Sequence, residues 1–474
     1  MPSSPYGGGV AETVLHPIVA VAMILAIIGI LLLPRKYAVV PFLLVVFLSP
    51  YGQELYIGGV HLFVVRILIL TGWARIAWTK LSSKSEICTG GVTAVDKAFF
   101  LWAIFRASAG ILLYRGASGA IIFQFGFLWD ALGGFFLLRF LIQDEESIVR
   151  VIKTFAAVAA VLAVTMVNEK LHDQNIFGFL GGVSISPEIR EGSIRAQGPF
   201  AHAILAGVFA ATLLPFFLWL WQSKKARLAA IAGAIGCTIM VVTCASSTPL
   251  LAYMAVILGL CFWPLRKYMR MIRWGLVFLL IALALVMKAP VWFLIDHVDL
   301  VAGNSGYHRA MLIDTCIRHF SDWWLIGTNQ AVNWGFDMWD MSNQFVAEAE
   351  SGGLATLICF LLMISWSFGR IGRARKLVDG DRKQEWLLWF LGVALFSNIV
   401  AFFGISYFDQ TKFLWFALFA MITVATAPIL ATKTVTEEQP VASLDCGGAR
   451  WAPVPSPTSA RGHTPYLRPW EVKR

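Results

Sequence analysis

The sequence predicts an all-α polytopic membrane protein with about 12 to 13 transmembrane helices and two long extracytoplasmic loops. Three observations support this prediction. Of the 474 residues, 58% are hydrophobic and 14% are charged, whereas about a quarter of the residues in a soluble domain are charged. Apolar runs close to the ~20 residues that cross a bilayer recur along the chain. Because backbone groups in lipid must hydrogen-bond within their own segment, each run is expected to be a helix.

The predicted helices follow one another through mostly short connections. In chain order, the apolar runs are 17–34, 37–51, 62–79, 97–114, 118–142, 149–167, 199–222, 227–244, 249–265, 274–292, 345–369, 385–407 and 411–431. They make residues 1–431 a single polytopic membrane domain. Residues 432–474 are rich in Pro, Gly and Ser and show no periodicity, which predicts a disordered cytoplasmic tail.

Basic residues lie in alternate connections, and this alternation predicts the orientation of the chain. One set of connections carries clusters of Lys and Arg, at 35–36, 75–97, 139–153, 224–227, 266–273 and 370–383. We expect this set to face the cytoplasm, which places the N-terminus outside and the C-terminus inside. The net charge of +10 then reflects topology and contact with the lipid bilayer, and no nucleic-acid partner is expected.

The two long outer loops, 168–198 and 297–344, hold most of the polar residues of the outer face, and loops of this length are usually functional. Arg190 and Arg195 lie in the first loop, within SPEIREGSIRAQGPFAH (186–202), where Lys and Arg are normally scarce. Histidines also collect on this side or at the outer ends of the spans, at positions 16, 61, 172, 202, 297, 308 and 319. Together these groups indicate a donor-rich surface suited to an anionic substrate.

Motifs for metal, disulfide and nucleotide chemistry are missing from the sequence. The seven cysteines lie far apart, so no disulfide framework is implied. There is no CxxC, no HExxH and no His pair at ligand spacing, and therefore no metal site is predicted. The absence of a Walker-type loop argues against ATP hydrolysis.

Three motifs in the outer loops resemble the O-antigen ligase/polymerase family. The stretch RAQGPFAHAILAGVFAATLLPF (195–216) looks like the arginine-led start of a helix in that family. The second loop has an arginine near its start in SGYHRAMLIDTCIRHFSDWWLIGT (305–328), followed by the aromatic and glycine passage NWGFDMWD (333–340). It ends on SNQFVAEAESGGLATL (342–357), similar to the family's His-Asn-x-aromatic-aliphatic helix start with glycines after it.

The resemblance implies a fold of the membrane-embedded glycosyltransferase class and a location in the bacterial cytoplasmic membrane. Proteins of this kind transfer a glycan from an undecaprenyl-pyrophosphate carrier on the outer face, without a metal or other cofactor. The acceptor is a lipid A-core saccharide in ligases, and another carrier-linked glycan in polymerases. The sugar, the acceptor and the choice between ligase and polymerase stay open at this point.

Arginine suits the leaving group of such a reaction. Breaking a sugar–pyrophosphate bond develops negative charge, and guanidinium groups bind phosphate oxygens through a planar fork. We therefore predict Arg195 and Arg309 as catalytic clamps on the pyrophosphate, with Arg190 and Arg318 as further substrate contacts. If the next helix begins at 199, its first-turn amides add positive charge beside Arg195.

One departure from the family pattern concerns the histidine before the Asn, which is Ser342 here. Serine is a poor base at neutral pH, so Asp340, His308 or Glu348 is expected to take the proton of the acceptor hydroxyl. Asn343 is predicted to contact substrate. Helix capping is the structural alternative for Asp340 and Asn343. The missing histidine favours a polymerase or another subgroup over a ligase.

Aromatic and charged residues in or near the spans suggest further substrate contacts. Trp334 and its aromatic neighbours in 323–339 are expected either at the membrane interface or stacked on sugar. Arg66 and Arg106 lie within apolar runs, where cations are expensive and usually functional. Arg66 is expected to contact the phosphate of the lipid carrier, and Asp130 is a partner for Arg106.

A transporter or flippase for a lipid-linked or anionic solute is the rival function, because it would also use outward-facing arginines. Such a protein is expected to show cavity-lining charges, broken helices and repeat symmetry near the membrane midplane. The sequence shows no internal repeat, and its polar residues collect in two outer loops instead.

Overall fold

The computed structural model describes residues 13–438 of the protein, except 59, 83–87, 118, 191 and 299–304. The chain is predominantly helical. Its helices are α1 Pro17–Leu32, α2 Val39–Leu48, α3 Val64–Ser82, α4 Ala94–Leu113, α5 Ala120–Leu128, α6 Gly134–Leu141, α7 Glu145–His172, α8 Ala203–Leu220, α9 Arg227–Thr243, α10 Ser247–Cys261, α11 Met269–Val286, α12 Ser305–Arg318, α13 Phe320–Trp323, α14 Gln344–Leu377, α15 Arg382–Phe402 and α16 Thr411–Glu438. Two antiparallel hairpins accompany them, β1 Glu54–Ile57 with β2 Val60–Phe63 and β3 Glu188–Arg190 with β4 Ser193–Arg195.

Every apolar run that the sequence shows lies on a helix of the structure, and α5 and α6 share one run through a π-helical segment, Trp129–Gly133. Within the described residues, eight helices are long and apolar enough to cross a membrane. They are Ala120–Leu141, Glu145–His172, Ala203–Leu220, Lys224–Thr243, Trp263–Val286, Gln344–Leu377, Arg382–Phe402 and Thr411–Ala431. The protein is therefore an all-α polytopic membrane protein.

The number of strongly apolar long helices is lower than the sequence predicted, for two physical reasons. α1 and α10 are apolar but shorter, with 16 and 15 residues. α3 and α4 are long enough but carry several charges along their length: Arg66, Arg75 and Lys80 on α3, and Asp96, Lys97 and Arg106 on α4.

Burial separates the middle of the bundle from its surroundings. α8 is buried along most of its length and packs against α7, α9, α10 and α15. α11 is the opposite case, because it is apolar all round and none of its residues is buried. A helix that is apolar on every side needs an apolar environment, and lipid supplies one for α11.

Contacts between connections divide the bundle into two ends. At one end, the basic end, Arg35 Nε donates to the Phe140 carbonyl at 2.9 Å, and Lys383 pairs with Glu145 at 2.6 Å. At the other end, the loop end, Gln53 Nε2 donates to the Leu180 carbonyl at 2.7 Å. These two sets of connections are the ones that the alternation of basic residues predicts. Which end faces the cytoplasm stays a prediction.

The first long loop is a folded hairpin rather than an open chain. α7 continues to His172, and a 3₁₀ turn at Ile176–Leu180 follows it. In the hairpin, Glu188 pairs with Arg195 across the strands. Ala196 then donates its N–H to the Thr243 carbonyl at 3.2 Å, which fixes the hairpin against the end of α9.

The second long loop forms a small helical unit above the bundle. The 3₁₀ segment Val291–Val298 leads into it, and it contains helices α12 and α13 and a 3₁₀ turn at Ala331–Trp334. Its own small core includes Leu312, Trp323 and Trp334 together with Val346 of α14. This unit therefore has a defined position on the first turns of α14.

α14 is interrupted where the second loop passes over it. Gly353 has φ 71° and ψ −169°, outside the helical region, and Gly327 of the loop has φ 85°. The absence of a Cβ on both residues lets two backbones meet: Thr328 N–H donates to the Glu350 carbonyl at 2.8 Å, and Leu354 N–H donates to the Trp324 carbonyl at 2.9 Å. The glycines after the helix start thus have a packing role.

Candidate functional site

Arg195 lies on β4 and forms an ion pair with a residue of the opposite strand. Its Nη1 donates to both carboxylate oxygens of Glu188, at 2.9 and 3.0 Å. Arg195 is 3% exposed, whereas the Glu188 side chain is 43% exposed. Arg195 Nε is buried and has no hydrogen-bond partner among the described residues. The guanidinium therefore keeps unused donor capacity behind a carboxylate that can move into water.

The sequence-based expectation that helix amides support Arg195 is corrected by the helix boundary. α8 begins at Ala203 and not at 199, and His202 is its N-cap. The nearby amides already have acceptors, because Ile204 N–H donates to His202 Nδ1 at 3.1 Å and Ala201 N–H donates to Asp409 at 3.1 Å. The first turn of α8 is therefore capped by side chains, and Arg195 is held by the hairpin instead.

His202 contacts Glu188 of the Arg195–Glu188 ion pair, and its imidazole is held in the neutral form. Its Nδ1 accepts from a backbone amide and its Nε2 lies 3.3 Å from Glu188 Oε2, so Nε2 carries the proton. Burial lowers the pKa of His202 below its ordinary value, and the positive charge of Arg195 lowers it further. The carboxylates of Glu188 and Asp340 act in the opposite direction without cancelling this shift.

Arg309 approaches the same region from the second loop. It lies on α12, is 5% exposed, and donates through Nη1 to Ser247 Oγ at 3.4 Å. Ser247 begins α10, and the first loop is bonded to Thr243 at the end of α9. Residues 243 and 247 are separated by at most about 14 Å of extended chain. The structure thus brings both predicted clamp arginines to one turn, which we call the 243–247 turn.

His308 and Asp340 connect the second loop to this cluster. His308 Nε2 lies 3.1 Å from the backbone carbonyl oxygen of Asp340, and the Asp340 side chain is exposed. The Asp340 carboxylate is also close enough to act on the charge of His202. Asp340, which His308 contacts, therefore brings the second loop close to His202 and its Glu188–Arg195 pair.

The remaining loop residues that the sequence singles out lie in different surroundings. Arg190 is exposed at the end of β3. Arg318 is an exposed residue paired with Asp314 one helical turn away, at 2.6 Å. Trp334 is buried and stacks on His319 with ring centroids 5.4 Å apart. Neither the Arg318 pair nor the Trp334 stack needs a ligand.

Asn343 caps α14, as the structural alternative predicted. Its Oδ1 accepts from the amides of Phe345 and Val346, at 3.0 and 3.2 Å. Its Nδ2 is buried and has no hydrogen-bond partner in the part of the chain that the structure describes. Capping therefore uses the side-chain oxygen of Asn343 and leaves its side-chain N–H donors unused.

The pairing predicted for Asp130 is wrong. Asp130 Oδ1 accepts from Arg66 Nε at 3.0 Å, and its Oδ2 accepts from Lys412 Nζ at 3.1 Å. Arg106 pairs with Glu348 instead, at 3.0 Å. The reason is helix packing: the π-helical segment with Asp130 packs on α3, whereas α4 packs along α14.

These charged residues line a cavity of about 460 Å³ inside the bundle, near the loop end. Its walls come from α3, α4, α5, the first turns of α14 and the start of α16. Twelve of the lining residues are aromatic: Tyr51, Phe63, Trp102, Tyr114, Phe123, Phe127, Phe360, Phe402, Tyr407, Phe408, Trp415 and Phe416. The volume falls within the range of about 300 to 1,000 Å³ typical of small-molecule sites.

Two acidic residues of α14 differ sharply within this cavity. The Glu348 carboxylate is fully buried and accepts from Trp102 Nε1 at 2.8 Å, from Gln344 Nε2 at 2.6 Å, and from Arg106. Glu348, one of the bases proposed from the sequence, is therefore held as a structural acceptor. Glu350 also lines the cavity. Its carboxylate forms no hydrogen bond or ion pair with any residue that the structure describes.

Sequence reasoning identified Arg66 and Arg106 but missed the cavity around them. Lys412 and Glu350 were not singled out, although both lie at the start of apolar helices, where an intramembrane charge is a usable signal. Among the described residues, no group of three or more His, Cys, Asp or Glu side chains is placed to hold a metal ion.

Comparison of the chain with models of known protein families finds no match, and a comparison with curated proteins finds none either. The resemblance to the O-antigen ligase/polymerase family therefore depends on the three loop motifs alone.

Proposed function

We propose that the protein transfers a glycan from an undecaprenyl-pyrophosphate-linked donor to a saccharide or lipid-linked acceptor, as a metal-independent O-antigen ligase/polymerase-type enzyme. The observation that carries this proposal is the convergence of Arg195 and Arg309 on the 243–247 turn. Arg195 and Arg309 come from loops far apart in the sequence, and both are buried. The hairpin that carries Arg195 is bonded to Thr243, and Arg309 donates to Ser247.

The chemistry of this cluster suits a pyrophosphate leaving group. Charge developing on the leaving oxygen is stabilised best by donors that are already oriented and shielded from water. Glu188 accepts two hydrogen bonds from Arg195 Nη1, much as a phosphate would. Because Glu188 is partly exposed, a bound pyrophosphate can displace it into water and take over its two hydrogen bonds.

An apolar groove beside the cluster suits the lipid part of the donor. The groove has a volume of about 590 Å³ and lies between α12, α13 and α14. Its lining is almost wholly apolar and includes Ile313, Ile317, Phe320 and Leu361. α12 carries Arg309 on the same element, so one helix contributes both to the polar cluster and to the groove.

We further propose that the loop end faces the outside of the bacterial cytoplasmic membrane. Clusters of Lys and Arg lie at the basic end, and such clusters mark the cytoplasmic side. Lipid-linked glycans are then used on the face where the two long loops lie.

A transporter is the second candidate, and the charged cavity and interrupted helices favour it. In transporters, however, helix breaks leave backbone groups open to the transported solute. Here the Gly133 carbonyl accepts from Trp73 Nε1 at 3.1 Å, and the break at Gly353 is closed by the loop backbone. Product formation in detergent solution separates the two functions, because a transferase works there and a transporter makes no product.

Replacement of Arg195 or Arg309 tests the proposal. Each cation is expected to contribute about 2–4 kcal/mol to the barrier, so Arg195→Ala and Arg309→Ala should each lower the rate of glycan transfer about 30- to 1000-fold. Lys at either position should restore only part of the rate, because a point charge lacks the planar fork. The measurement is product formation by the full-length protein in membranes supplied with the lipid-linked donor.

The matched control is Arg373→Ala, an exposed arginine near the basic end of α14. Because Arg195 and Arg309 are buried, the amount of protein in the membrane is measured beside each rate. If both hold one pyrophosphate, the double variant should lose less than the product of the two single losses. If the Ala and Lys variants at positions 195 and 309 transferred glycan as fast as the Arg373→Ala protein, the clamp would be excluded.

A further inference from the structure

The aromatic cavity, which Glu348 and Glu350 line, has no part in the pyrophosphate site proposed at Arg195 and Arg309. Its chemistry also differs from that of a phosphate site. Its charged side chains balance one another: Arg66, Arg106 and Lys412 face Asp130, Glu348 and Glu350. A phosphate could reach these cations only in competition with Asp130, which is 3% exposed and bonded to two of them, or with Glu348, which is 0% exposed and bonded to the third. Glu188 in the arginine cluster is far easier to displace. The cavity therefore suits an uncharged ligand.

The walls of the cavity indicate what kind of uncharged ligand it takes. The lining combines aromatic residues such as Trp102, Phe408 and Trp415 with the polar residues Gln124, Thr328 and Ser351. A sugar ring presents C–H faces that pack on aromatic rings, and hydroxyl edges that need donors and acceptors. A purely apolar ligand would bury the Gln124 amide and the Glu350 carboxylate, which form no hydrogen bond with the described residues, at a cost of about 1–3 kcal/mol each.

Glu350 is the one carboxylate in the cavity without a hydrogen bond or ion pair to the described residues. Its backbone carbonyl is fixed by Thr328, and the break at Gly353 follows three residues later. Arg106 lies close enough to act on its charge, while the Arg106 side chain is paired with Glu348. The carboxylate is thus positioned by backbone contacts and left available as an acceptor.

We infer that the cavity binds the neutral saccharide acceptor, and that Glu350 takes the proton from the acceptor hydroxyl. This inference rests on the proposed function. The acceptor oxygen forms a bond to the anomeric carbon of the donor sugar, and the bond from that carbon to the phosphate oxygen breaks. The electron pair leaves with the pyrophosphate, and the hydroxyl proton goes to Glu350. Glu350 thereby acts as the general base. In the family a histidine has this role, and this chain has Ser342 in its place.

Binding is tested first, without any reaction. The full-length protein in lipid nanodiscs is titrated with maltose, cellobiose and chitobiose as neutral probes, and separately with inorganic pyrophosphate. At least one disaccharide should bind. Phe408→Ala should weaken that binding about two- to tenfold, because one aromatic face is lost. Phe105→Ala changes an exposed ring on α4 that does not line the cavity, and should have no effect.

Pyrophosphate should behave in the opposite way, since it is expected at the arginine cluster. Its affinity should fall in Arg195→Ala and stay unchanged in Phe408→Ala. Failure of all three disaccharides to bind would overturn the inference. Equal disaccharide affinities for the Phe408→Ala and Phe105→Ala proteins would overturn it too, as would loss of pyrophosphate binding in Phe408→Ala.

Transfer is tested second, with Glu350→Gln and Glu350→Asp. Loss of a general base lowers a rate about 10²- to 10⁴-fold, so Glu350→Gln should lower kcat by that factor while disaccharide affinity stays within about threefold. Glu350→Asp should recover part of the rate, which a purely structural role would not predict. If the wild-type protein forms no product, the proposed function fails while the binding test still stands. If the wild type forms product and Glu350→Gln is equally fast, only the role of Glu350 fails.

Discussion

Substitution of Gly353 by Ala tests how the second loop is joined to α14. Gly353 has φ 71° and ψ −169°, a region essentially reserved for glycine, and an L-residue there costs about 1–3 kcal/mol. A Cβ would also lie 2.7 Å from the Leu325 carbonyl oxygen. The loop backbone must then move, which endangers the Thr328–Glu350 and Leu354–Trp324 hydrogen bonds. Each is worth about 0.5–1.5 kcal/mol.

These effects together predict a loss of about 2–6 kcal/mol in the free energy of unfolding. The assay is denaturant unfolding of the purified protein in detergent, followed by tryptophan fluorescence. Gly372→Ala on the same helix is the matched control, because its Cβ meets nothing within 4 Å, and Ala there should raise helix stability by up to about 1 kcal/mol.

The loop junction also positions Thr328 and Glu350 at the cavity, so Gly353→Ala should weaken disaccharide binding as well. Gly372→Ala should leave that binding unchanged. Equal unfolding free energies for the two variants would refute the reasoning, because the break in α14 would then not depend on a missing side chain.

Two further predictions concern topology and pH. Single cysteines introduced near residues 180 and 330 should react with an impermeant maleimide in intact cells, whereas a cysteine near 378 should not; labelling at 378 would reverse the proposed orientation. For His202, burial and Arg195 hold the pKa in the folded protein below the ordinary value of 6.5. Its contribution to stability is therefore complete above pH 6.5 and is lost as the pH falls through the lower, folded pKa. Melting temperatures measured between pH 8 and 5 should show this loss in the wild type and a smaller one in His202→Asn, since Asn also caps a helix but does not titrate. Identical profiles for the two proteins would contradict the assignment of the titration to His202.

The helices were predictable because hydrophobicity along the chain is a local property. Each apolar run had to satisfy its backbone internally, and each one lies on a helix of the structure. The grouping of the connections into two ends was predictable for a similar reason, since a chain that crosses a membrane repeatedly must alternate sides. The short helix α2 shows the limit of this reasoning, because the run at 37–51 contains a helix of only 10 residues. A 3₁₀ turn precedes this helix and Pro50 follows it, so the helix is shorter than the apolar run.

Pairing of charges was decided by tertiary structure alone. Asp130 was equally available to Arg66 and Arg106 in the sequence, and only the packing of α4 along α14 gave Arg106 to Glu348. The state of Arg195 is a second example. The sequence marked it as an arginine in an outer loop, and only the β3–β4 hairpin determined that it is buried and paired with Glu188.

The sequence by itself determined that the protein is a bundle of apolar helices with two long polar loops at one end. It also marked the cations at 66, 106, 195 and 309 as exceptions to the pattern around them, and the glycines at 352–353 as part of the motif at the start of a helix. Only the tertiary structure decided that Arg195 and Arg309 are anchored to one turn, that Gly353 and Gly327 let two backbones touch, and that Glu350 lines an aromatic cavity without an ion pair to any described residue. The physical reason is range: apolarity acts on a segment as a whole, whereas ion pairs and close backbone contacts depend on which distant segments become neighbours.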